Sequence, residues 1–428
     1  MTAALPALTQ FRAEPQQSGL IHLVFDCPGR SMNVFANTAI HELGAFAEWL
    51  HNADVRGVVV RSGKPTGFCA GADLTELGVA YDMIVAAPKA DRFDIAFNHF
   101  FPLSHAVRRL ETAGKPVAAA IAGVALGGGC ELALGAHYRV ATRSPRAMLG
   151  LPECAVGLLP GAGGTQRITR LVGVELGLEV LLRGRNLHGD EAVAAGLVDA
   201  LVDDGDEVAA AEAWLLSDAA HAVQPWDRTG HVPLAHADYA AAIAAHRTRE
   251  LERMLGHEPA PKAILDCVEF GLMQPIDGAI RAEMSVFAHL IQRCEPRNTI
   301  RTMFLGKQAF DKASREGALG DAVAAAREAV KDAAATALAA TPALALAGFA
   351  PGTWDKPVQP RPADGFWFEG QPALAAAIAG LAGQLRAITA GLSEAEALQL
   401  DHAVVRDGSI PAYLGGATGL AALAQSAA

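Results

Sequence analysis

The segments Ala125-Leu-Gly-Gly-Gly-Cys-Glu131 and Pro152-Glu-Cys-Ala-Val-Gly-Leu-Leu-Pro-Gly-Ala-Gly-Gly-Thr-Gln-Arg167 each join glycines to a glutamate. A third glycine-containing segment, Ser62-Gly-Lys-Pro-Thr-Gly-Phe-Cys-Ala-Gly-Ala-Asp-Leu74, lies upstream. Glycine-rich turns at a helix N-terminus present backbone N–H groups, and the helix dipole adds to their attraction for negative charge. Two carboxyl groups beside such donors suit general acid–base chemistry on a substrate oxygen that gains charge.

Short apolar runs alternate with helical patterns over residues 1–205, which predicts an α/β fold with covered sheet faces. A hairpin between His137–Thr142 and Ala147–Gly150 is also predicted, joined through residues 143–146. The other predicted elements are strands at Leu20–Phe25, Val55–Val60 and Val117–Ile121, and helices at Ala36–Leu50, at 91–113 and from 127 onward.

The three glycine segments, in this order, resemble the crotonase superfamily, which contains the enoyl-CoA hydratases and isomerases. Residues 178–202 follow the C-terminal signature of that family. The resemblance implies a spiral of ββα units over residues 1–205, which periodicity alone does not predict. It also implies an acyl-CoA thioester as substrate, with no cofactor and no metal.

The resemblance assigns roles to five positions of the three segments. Glu131 would orient and activate a water molecule at Cβ of the substrate, and Glu153 would deliver a proton to Cα. The backbone N–H groups of Ala72 and Gly128 would form the oxyanion hole that polarises the thioester carbonyl. The N–H of Gly161 would hold the water.

Further substrate-binding positions follow from the same motifs. The Ala70 carbonyl would face the adenine of CoA. Lys64, Arg167 and Arg170 are candidates for the CoA phosphates, and each is equally typical of a solvated surface charge. The substrate-binding set is Ala70, Asp73, Leu74, Gly127, Gly161 and Lys64.

Composition limits the classes of partner. The net charge of -11 argues against nucleic acid or an anionic membrane surface, so CoA would need a local basic patch. The six cysteines form no CxxC pair and no ligand spacing with histidine, which predicts free thiols in a reducing cytoplasm and no metal site.

Membrane association is not expected from the sequence. The first residues lack a basic region followed by an apolar block, so no signal peptide is predicted. Residues 333–354 and 408–428 are poor in charge, but they consist of Ala, Gly, Pro and Thr rather than Leu and Phe. We therefore expect a soluble, cytoplasmic protein.

Residues 206–312 form the second predicted region. Pro259-Ala-Pro-Lys-Ala-Ile, a helix at Glu283–Leu290 and Arg297–Asp311 resemble the hydratase half of multifunctional β-oxidation proteins. This region is expected to fold back on the core and to roof the acyl pocket. The apolar face of its helix is formed by Ile280, Met284, Phe287 and Leu290.

The third predicted region, 313–428, departs from those multifunctional proteins. The chain contains no GxGxxG fingerprint, because the run from Gly161 has Gln166 in place of the third glycine, so no nicotinamide binding is expected. We predict an alanine-rich helical appendage of unknown role, with too few large side chains for a sizeable core of its own. Its predicted anchors are Trp354, Phe366, Trp367 and Phe368.

The function expected from these features is hydration of trans-2-enoyl-CoA to 3-hydroxyacyl-CoA. A 3-enoyl-CoA to 2-enoyl-CoA isomerase needs only the acid at Glu153, so Glu131 favours the hydratase. Other crotonase reactions use the same oxyanion hole and stay open. A non-catalytic acyl-CoA-binding or assembly subunit is the alternative from another class. A homo-oligomer such as a trimer, or a separate dehydrogenase partner, is compatible with the sequence.

Overall fold

The computed structural model describes residues 4–65, 67–254, 257–349 and 371–426. The chain divides into two compact units, the first formed by residues 1–244 and 263–292 and the second by residues 245–262 and 293–428. The region after residue 205 is therefore shared between the units, and residues 263–292 belong to the same unit as the glycine segments.

Strands of the first unit form two sheets. They are β1 Phe11–Pro15, β2 Leu20–Phe25, β3 Gly57–Ser62, β4 Gly67–Cys69, β5 Val117–Ile121, β6 Val124–Leu126, β7 Tyr138–Thr142, β8 Met148–Gly150, β9 Leu187–His188 and β10 Ala200–Val202. The larger sheet has the order β1-β2-β3-β5-β7-β10, and only its β1–β2 pair is antiparallel. The smaller sheet has the order β4-β6-β8-β9, and only its β8–β9 pair is antiparallel.

The helices fall into an earlier and a later group. The earlier group is α1 Asn37–Leu50, α2 Leu74–Ala86, α3 Arg92–Glu111, α4 Gly128–Leu134, α5 Gly164–Val172, α6 Val174–Arg183, α7 Gly189–Ala194, α8 Glu207–Leu216, α9 Ala240–Met254, α10 Pro259–Gly271 and α11 Ile276–Leu290. The later group is α12 Cys294–Thr299, α13 Gly306–Arg315, α14 Asp321–Ala340, α15 Pro372–Thr389, α16 Glu394–Arg406 and α17 Gly416–Ser426.

Successive strands alternate between the two sheets. β3, β5 and β7 lie in the larger sheet, while β4, β6 and β8, which follow them, lie in the smaller one. A helix comes after each of these strand pairs, so the predicted spiral of ββα units is confirmed. Central strands such as β3 and β5 read as near-continuous Val and Ala runs because parallel strands are covered on both faces.

The predicted hairpin is wrong. β7 pairs with β5 and β10, whereas β8 pairs with β6 and β9, so the two strands lie in different sheets. The local pattern of residues 137–150 predicted the positions of both strands to within one residue. It carries no information on their partners, because pairing depends on which distant strand supplies the free edge.

The second unit has a hydrophobic cluster of its own, whereas the sequence predicted too few large side chains for a sizeable core in the tail. Buried side chains come from α14, α15, α16, α17 and the 3₁₀ turn at Ala412–Leu414, with large members such as Leu381, Leu400 and Leu414 at 0–1% exposure. The predicted aromatic anchors Trp354, Phe366, Trp367 and Phe368 lie outside the described residues.

One helix of the described residues, α15, is long and apolar enough to cross a membrane by length and composition alone, with a mean hydropathy of 1.2 over its 18 residues. It is neither of the two charge-poor stretches identified in the sequence. Its buried side carries Leu374, Ile378, Leu381 and Leu385, which belong to the cluster of the second unit. A core helix of a soluble protein has the same composition, so this is weak support for a membrane span.

Candidate active site

Three parallel strands of the smaller sheet end side by side, and each is followed by one of the glycine or glutamate segments. Residues 70–73 follow β4, Gly127 follows β6, and Glu153 comes soon after β8. Carboxyl ends of parallel strands meet at the same edge of a sheet, which is where open α/β sheets bind ligands. The fold thus brings together the three segments that the sequence marked as one site.

The segments after β4 and β6 are in close contact. Gly71 has φ +98°, and a Cβ atom there would lie 3.0 Å from the carbonyl oxygen of Leu126 and 3.5 Å from the nitrogen of Gly128. Only glycine fits both this backbone conformation and this space. The two predicted oxyanion donors, Ala72 and Gly128, therefore lie on adjoining turns.

Both predicted donor N–H groups are directed away from other backbone partners. Ala72 forms a parallel bridge with Phe35, in which Phe35 N–H donates to Gly71 O and Asp73 N–H donates to Phe35 O. The N–H of Ala72 between them must point to the opposite side, and this residue is exposed. Gly128 is the first residue of α4, where an N–H has no partner within the helix.

Glu131 is buried in α4 and is held by the loop before α5. Its Oε1 accepts hydrogen bonds from the N–H of Ala162 at 2.5 Å and of Gly164 at 2.8 Å. Burial raises the pKa of this carboxyl to about 7, while these bonds, the N–H of Gly161 and the charge of Arg167 oppose the rise. Near neutral pH the group is therefore able to accept a proton.

Glu153 lies in a 3₁₀ turn at Pro152–Val156, beside the glycine turn of α4. Its Oε1 is 2.8 Å from the place that a Cβ atom on Gly127 would take. Its Oε2 is buried and has no hydrogen-bond partner among the described residues. Burial first, and then the charge of Glu131, raise the pKa of Glu153 well above its usual range. A raised pKa favours the protonated form of this carboxyl, which is able to donate a proton.

A third buried carboxylate, Glu283 of α11, was missed by the sequence analysis. It accepts hydrogen bonds from the N–H of Gly163 at 2.7 Å and of Thr165 at 3.0 Å, and also from the Thr165 hydroxyl. Burial, followed by the charge of Glu131, raises its pKa to about 8. A signal was present, because Glu283 sits at helical spacing between Ile280 and Phe287 on the apolar face of α11.

The apolar face of α11 also covers the loop before α5. A Cβ atom on Gly161 would lie 3.5 Å from the ring of Phe287 and 3.8 Å from Cε of Met284. A Cβ atom on Gly163 would lie 3.2 Å from Ile280. Three of the four side chains predicted to form a roof therefore lie against the loop that holds Glu131.

Two predicted substrate-binding side chains have structural partners. Asp73 caps α2, since its Oδ1 accepts from the N–H groups of Thr75 and Glu76 at 3.0 and 3.3 Å, and its Oδ2 pairs with Arg30 at 2.6 Å. Lys64 would have to leave two oxygen partners to reach a phosphate. Its Nζ lies 2.6 Å from the carbonyl oxygen of Cys27 and 2.7 Å from Oδ1 of Asp26.

The remaining predicted substrate-binding positions lie along the same edge. Ala70 is exposed and donates its N–H to Asn33 O at 2.9 Å. Leu74 is the half-buried first residue of α2. Gly127 has φ +53° and donates its N–H to Gly150 O at 2.9 Å, which ties the turn before α4 to β8.

Arg167 and Arg170 have partners within the protein, so neither is a free phosphate ligand. The alternative prediction of a solvated surface charge is wrong for Arg167. Its guanidinium is fully buried and pairs with Glu111 at 2.7 Å. Arg170 donates to the carbonyl oxygens of Gly271 and Gln274 at 3.0 and 3.1 Å. Both arginines anchor α5 instead of facing solvent, a difference that charge alone does not reveal.

A sequence profile of the enoyl-CoA hydratase/isomerase family matches residues 15–225, which include all three glycine segments and both glutamates of the site. This part of the chain belongs to that family. The crotonase resemblance and the fold that it implied are thereby confirmed.

Relatives extend the similarity beyond the family profile. A fatty acid oxidation complex subunit alpha from Shewanella loihica is 35% identical over 303 residues, which cover 70% of this chain and 41% of the relative. The corresponding subunit from Idiomarina loihiensis is 40% identical over 193 residues, which cover 45% of this chain and 26% of the relative. The chain thus spans about two fifths of the length of the first of these relatives.

Solved structures give weaker matches. The crystal structure of an enoyl-CoA hydratase from Bacillus halodurans matches 68% of this chain and 99% of its own, at 18% sequence identity and a TM-score of 0.48. At these values the likeness carries no argument about the site of this protein.

Proposed function

We propose that this protein adds water to trans-2-enoyl-CoA thioesters and forms 3-hydroxyacyl-CoA. The observation that carries the proposal is the pairing of two buried carboxyl groups that differ in their hydrogen bonding. Glu131 accepts two backbone N–H bonds, whereas Glu153 has a buried oxygen without a hydrogen-bond partner among the described residues. Two carboxyl groups whose environments separate their pKa values are the usual basis of paired acid and base roles.

In the proposed reaction the thioester oxygen accepts hydrogen bonds from the N–H groups of Ala72 and Gly128. Glu131 removes a proton from water, whose oxygen forms a bond to Cβ of the substrate. The electron pair of the Cα–Cβ double bond moves toward the carbonyl, which the two N–H groups stabilise as an enolate. Glu153 then gives its proton to Cα, and exchange with solvent restores both carboxyl groups.

Turnover of a panel of enoyl-CoA thioesters tests this proposal. We expect hydration with a kcat of at least about 1 per second on one or more aliphatic trans-2-enoyl-CoA substrates, within the usual range of enzymes. The relatives, which are alpha subunits of fatty acid oxidation complexes, favour an aliphatic chain. Loss of the ultraviolet absorbance of the conjugated thioester gives the rate. A panel without hydration, but with conversion of 3-enoyl-CoA, would assign the isomerase reaction instead.

The pH dependence of kcat/KM provides a second test. Because the base must be ionised and the pKa of Glu131 is raised to about 7, activity should rise as the pH increases through about 7. For a base with an ordinary glutamate pKa the rise would lie near pH 4.5. An acid limb that is complete below pH 6 would contradict the role given to Glu131.

We also propose that this chain does not bind a nicotinamide cofactor, since Gln166 replaces the third glycine of a fingerprint. Titration calorimetry with NAD should give no saturable heat at micromolar concentration. Saturation in that range would contradict the proposal and would point to a dehydrogenase activity.

Location and assembly belong to the same proposal. Five of the six cysteines are buried as free thiols and the sixth is partly buried, which suits a reducing cytoplasm. The proposed assembly is either a homo-oligomer such as a trimer or a complex with a separate dehydrogenase that takes the 3-hydroxyacyl product. Sedimentation analysis of the purified chain distinguishes a trimer from a monomer.

A further inference from the structure

Glu283 and Glu131 hold one loop from two sides. The N–H groups of residues 162 and 164 point to Glu131, and those of residues 163 and 165 point to Glu283. Four successive amides at the N-terminus of α5 are thus divided in alternation between two buried carboxyl groups. A change in the bonds of one carboxyl must move the amides that serve the other.

The groups that face Glu283 come from several elements. They are Glu131 of α4, Glu153 of the 3₁₀ turn, Arg167 and Arg170 of α5, and the Cys267 thiol of α10. Arg167 is already paired with Glu111, and Arg170 donates to backbone carbonyls. Three buried carboxylates would therefore face too little positive charge, so the cluster must retain protons near neutral pH.

We propose that Glu283 is a positioning residue that supports the 161–165 loop in its protonated form and leaves the positive end of α5 to Glu131. The inference rests on the proposed function and deepens it, because Glu131 is the base of that reaction. Protonated Glu283 still accepts N–H bonds from the loop, and its carboxyl group lies within hydrogen-bond distance of the Thr165 hydroxyl. An ionised Glu283 would compete with Glu131 for the positive end of α5.

The relative proton affinities of the two groups agree with this arrangement. Burial and the charge of Glu131 raise the pKa of Glu283 to about 8, while the pKa of Glu131 is raised to about 7. The charge of Glu131 is itself a cause of the raised pKa of Glu283, so ionisation of Glu131 favours a proton on Glu283.

Two substitutions of Glu283 distinguish its support of the 161–165 loop from the effect of its charge. Glu283→Gln is uncharged and keeps one oxygen that accepts an N–H bond from the loop. We therefore expect kcat at pH 7 to stay within about tenfold of wild type, while Glu283→Ala removes the support and lowers kcat about 100-fold, with KM changed less. Glu283→Gln should also shift any decline of kcat above pH 8 to higher pH, because it has no proton to lose.

Glu42 provides the matched control. This buried carboxylate of α1 accepts bonds from the N–H groups of Thr9, Gln10 and Phe11 and from the Thr9 hydroxyl, so it supports another segment in the same way. Glu42→Gln and Glu42→Ala should leave the pH profile of hydration unchanged. An equal loss of kcat in Glu283→Gln and Glu283→Ala, with the alkaline limb in place, would overturn the proposal.

A measurement without turnover keeps this inference separate from the proposed function. In protein labelled with ¹³C at the glutamate carboxyl, the signal absent from Glu283→Gln should titrate near pH 8, and Glu131→Gln should lower that midpoint. Thr165→Val provides a second variant if Glu283→Gln does not fold, and it should raise the midpoint. A Glu283 carboxyl that is ionised at pH 6 contradicts the inference even if hydration is observed. A midpoint near pH 8 upholds its protonation even if no thioester is hydrated.

Discussion

Replacing Glu131 or Glu153 by glutamine should lower kcat for hydration by roughly 10²–10⁴-fold, the usual contribution of a positioned acid or base. In the proposed reaction, Glu131→Gln removes the base that accepts the proton of water, and Glu153→Gln removes the proton that Cα receives. Both variants retain the size of the side chain, so folding and substrate affinity should change little. Steady-state rates on the best substrate of the panel measure the effect.

Three comparisons sharpen this prediction. The kcat of the double variant should be little lower than that of the less active single variant, because the two groups act as a unit in one reaction. Any isomerase activity should survive Glu131→Gln better than Glu153→Gln, since that reaction needs only one acid. Glu42→Gln serves as the control outside the site. Near-normal hydration by either single variant would contradict the mechanism.

The largest effect on stability is expected from Glu111→Gln. Glu111 and Arg167 are both fully buried and joined by two hydrogen bonds, of 2.7 and 3.1 Å. In Glu111→Gln the amide oxygen still can accept a bond from Arg167, as the carbonyl oxygen of Ala162 does at 2.8 Å, but the negative charge that faces the guanidinium is lost. An uncompensated buried charge typically costs about 3–5 kcal/mol. Urea denaturation should show this decrease in the free energy of unfolding.

The reference variants for this prediction remove other charges. Adding Arg167→Met to Glu111→Gln should recover much of the lost stability, because the double variant no longer buries an unpaired guanidinium. Glu48→Gln removes an exposed partner of Arg109 and should leave the denaturation midpoint unchanged. If Glu111→Gln loses no more than Glu48→Gln, the buried pair does not stabilise the fold.

Local sequence determined much of the first unit. β2 and β5 begin and end at the predicted residues, and α1 begins one residue from its predicted start. Apolar periodicity identifies such elements because it reports which face of each is buried. The glycines before Glu131 predicted the turn there equally well, since Gly127 has a positive φ that other residues rarely adopt.

The tertiary structure decided what local patterns leave open. It assigned β7 and β8 to different sheets, buried Arg167 against Glu111, and gave the alanine-rich tail a hydrophobic cluster. It also placed Glu283 on the loop that holds Glu131. In each case the partner is distant in the chain, so its identity depends on packing between elements. A residue's own neighbours in sequence determine that it will be buried, but only the assembled fold determines what it is buried against.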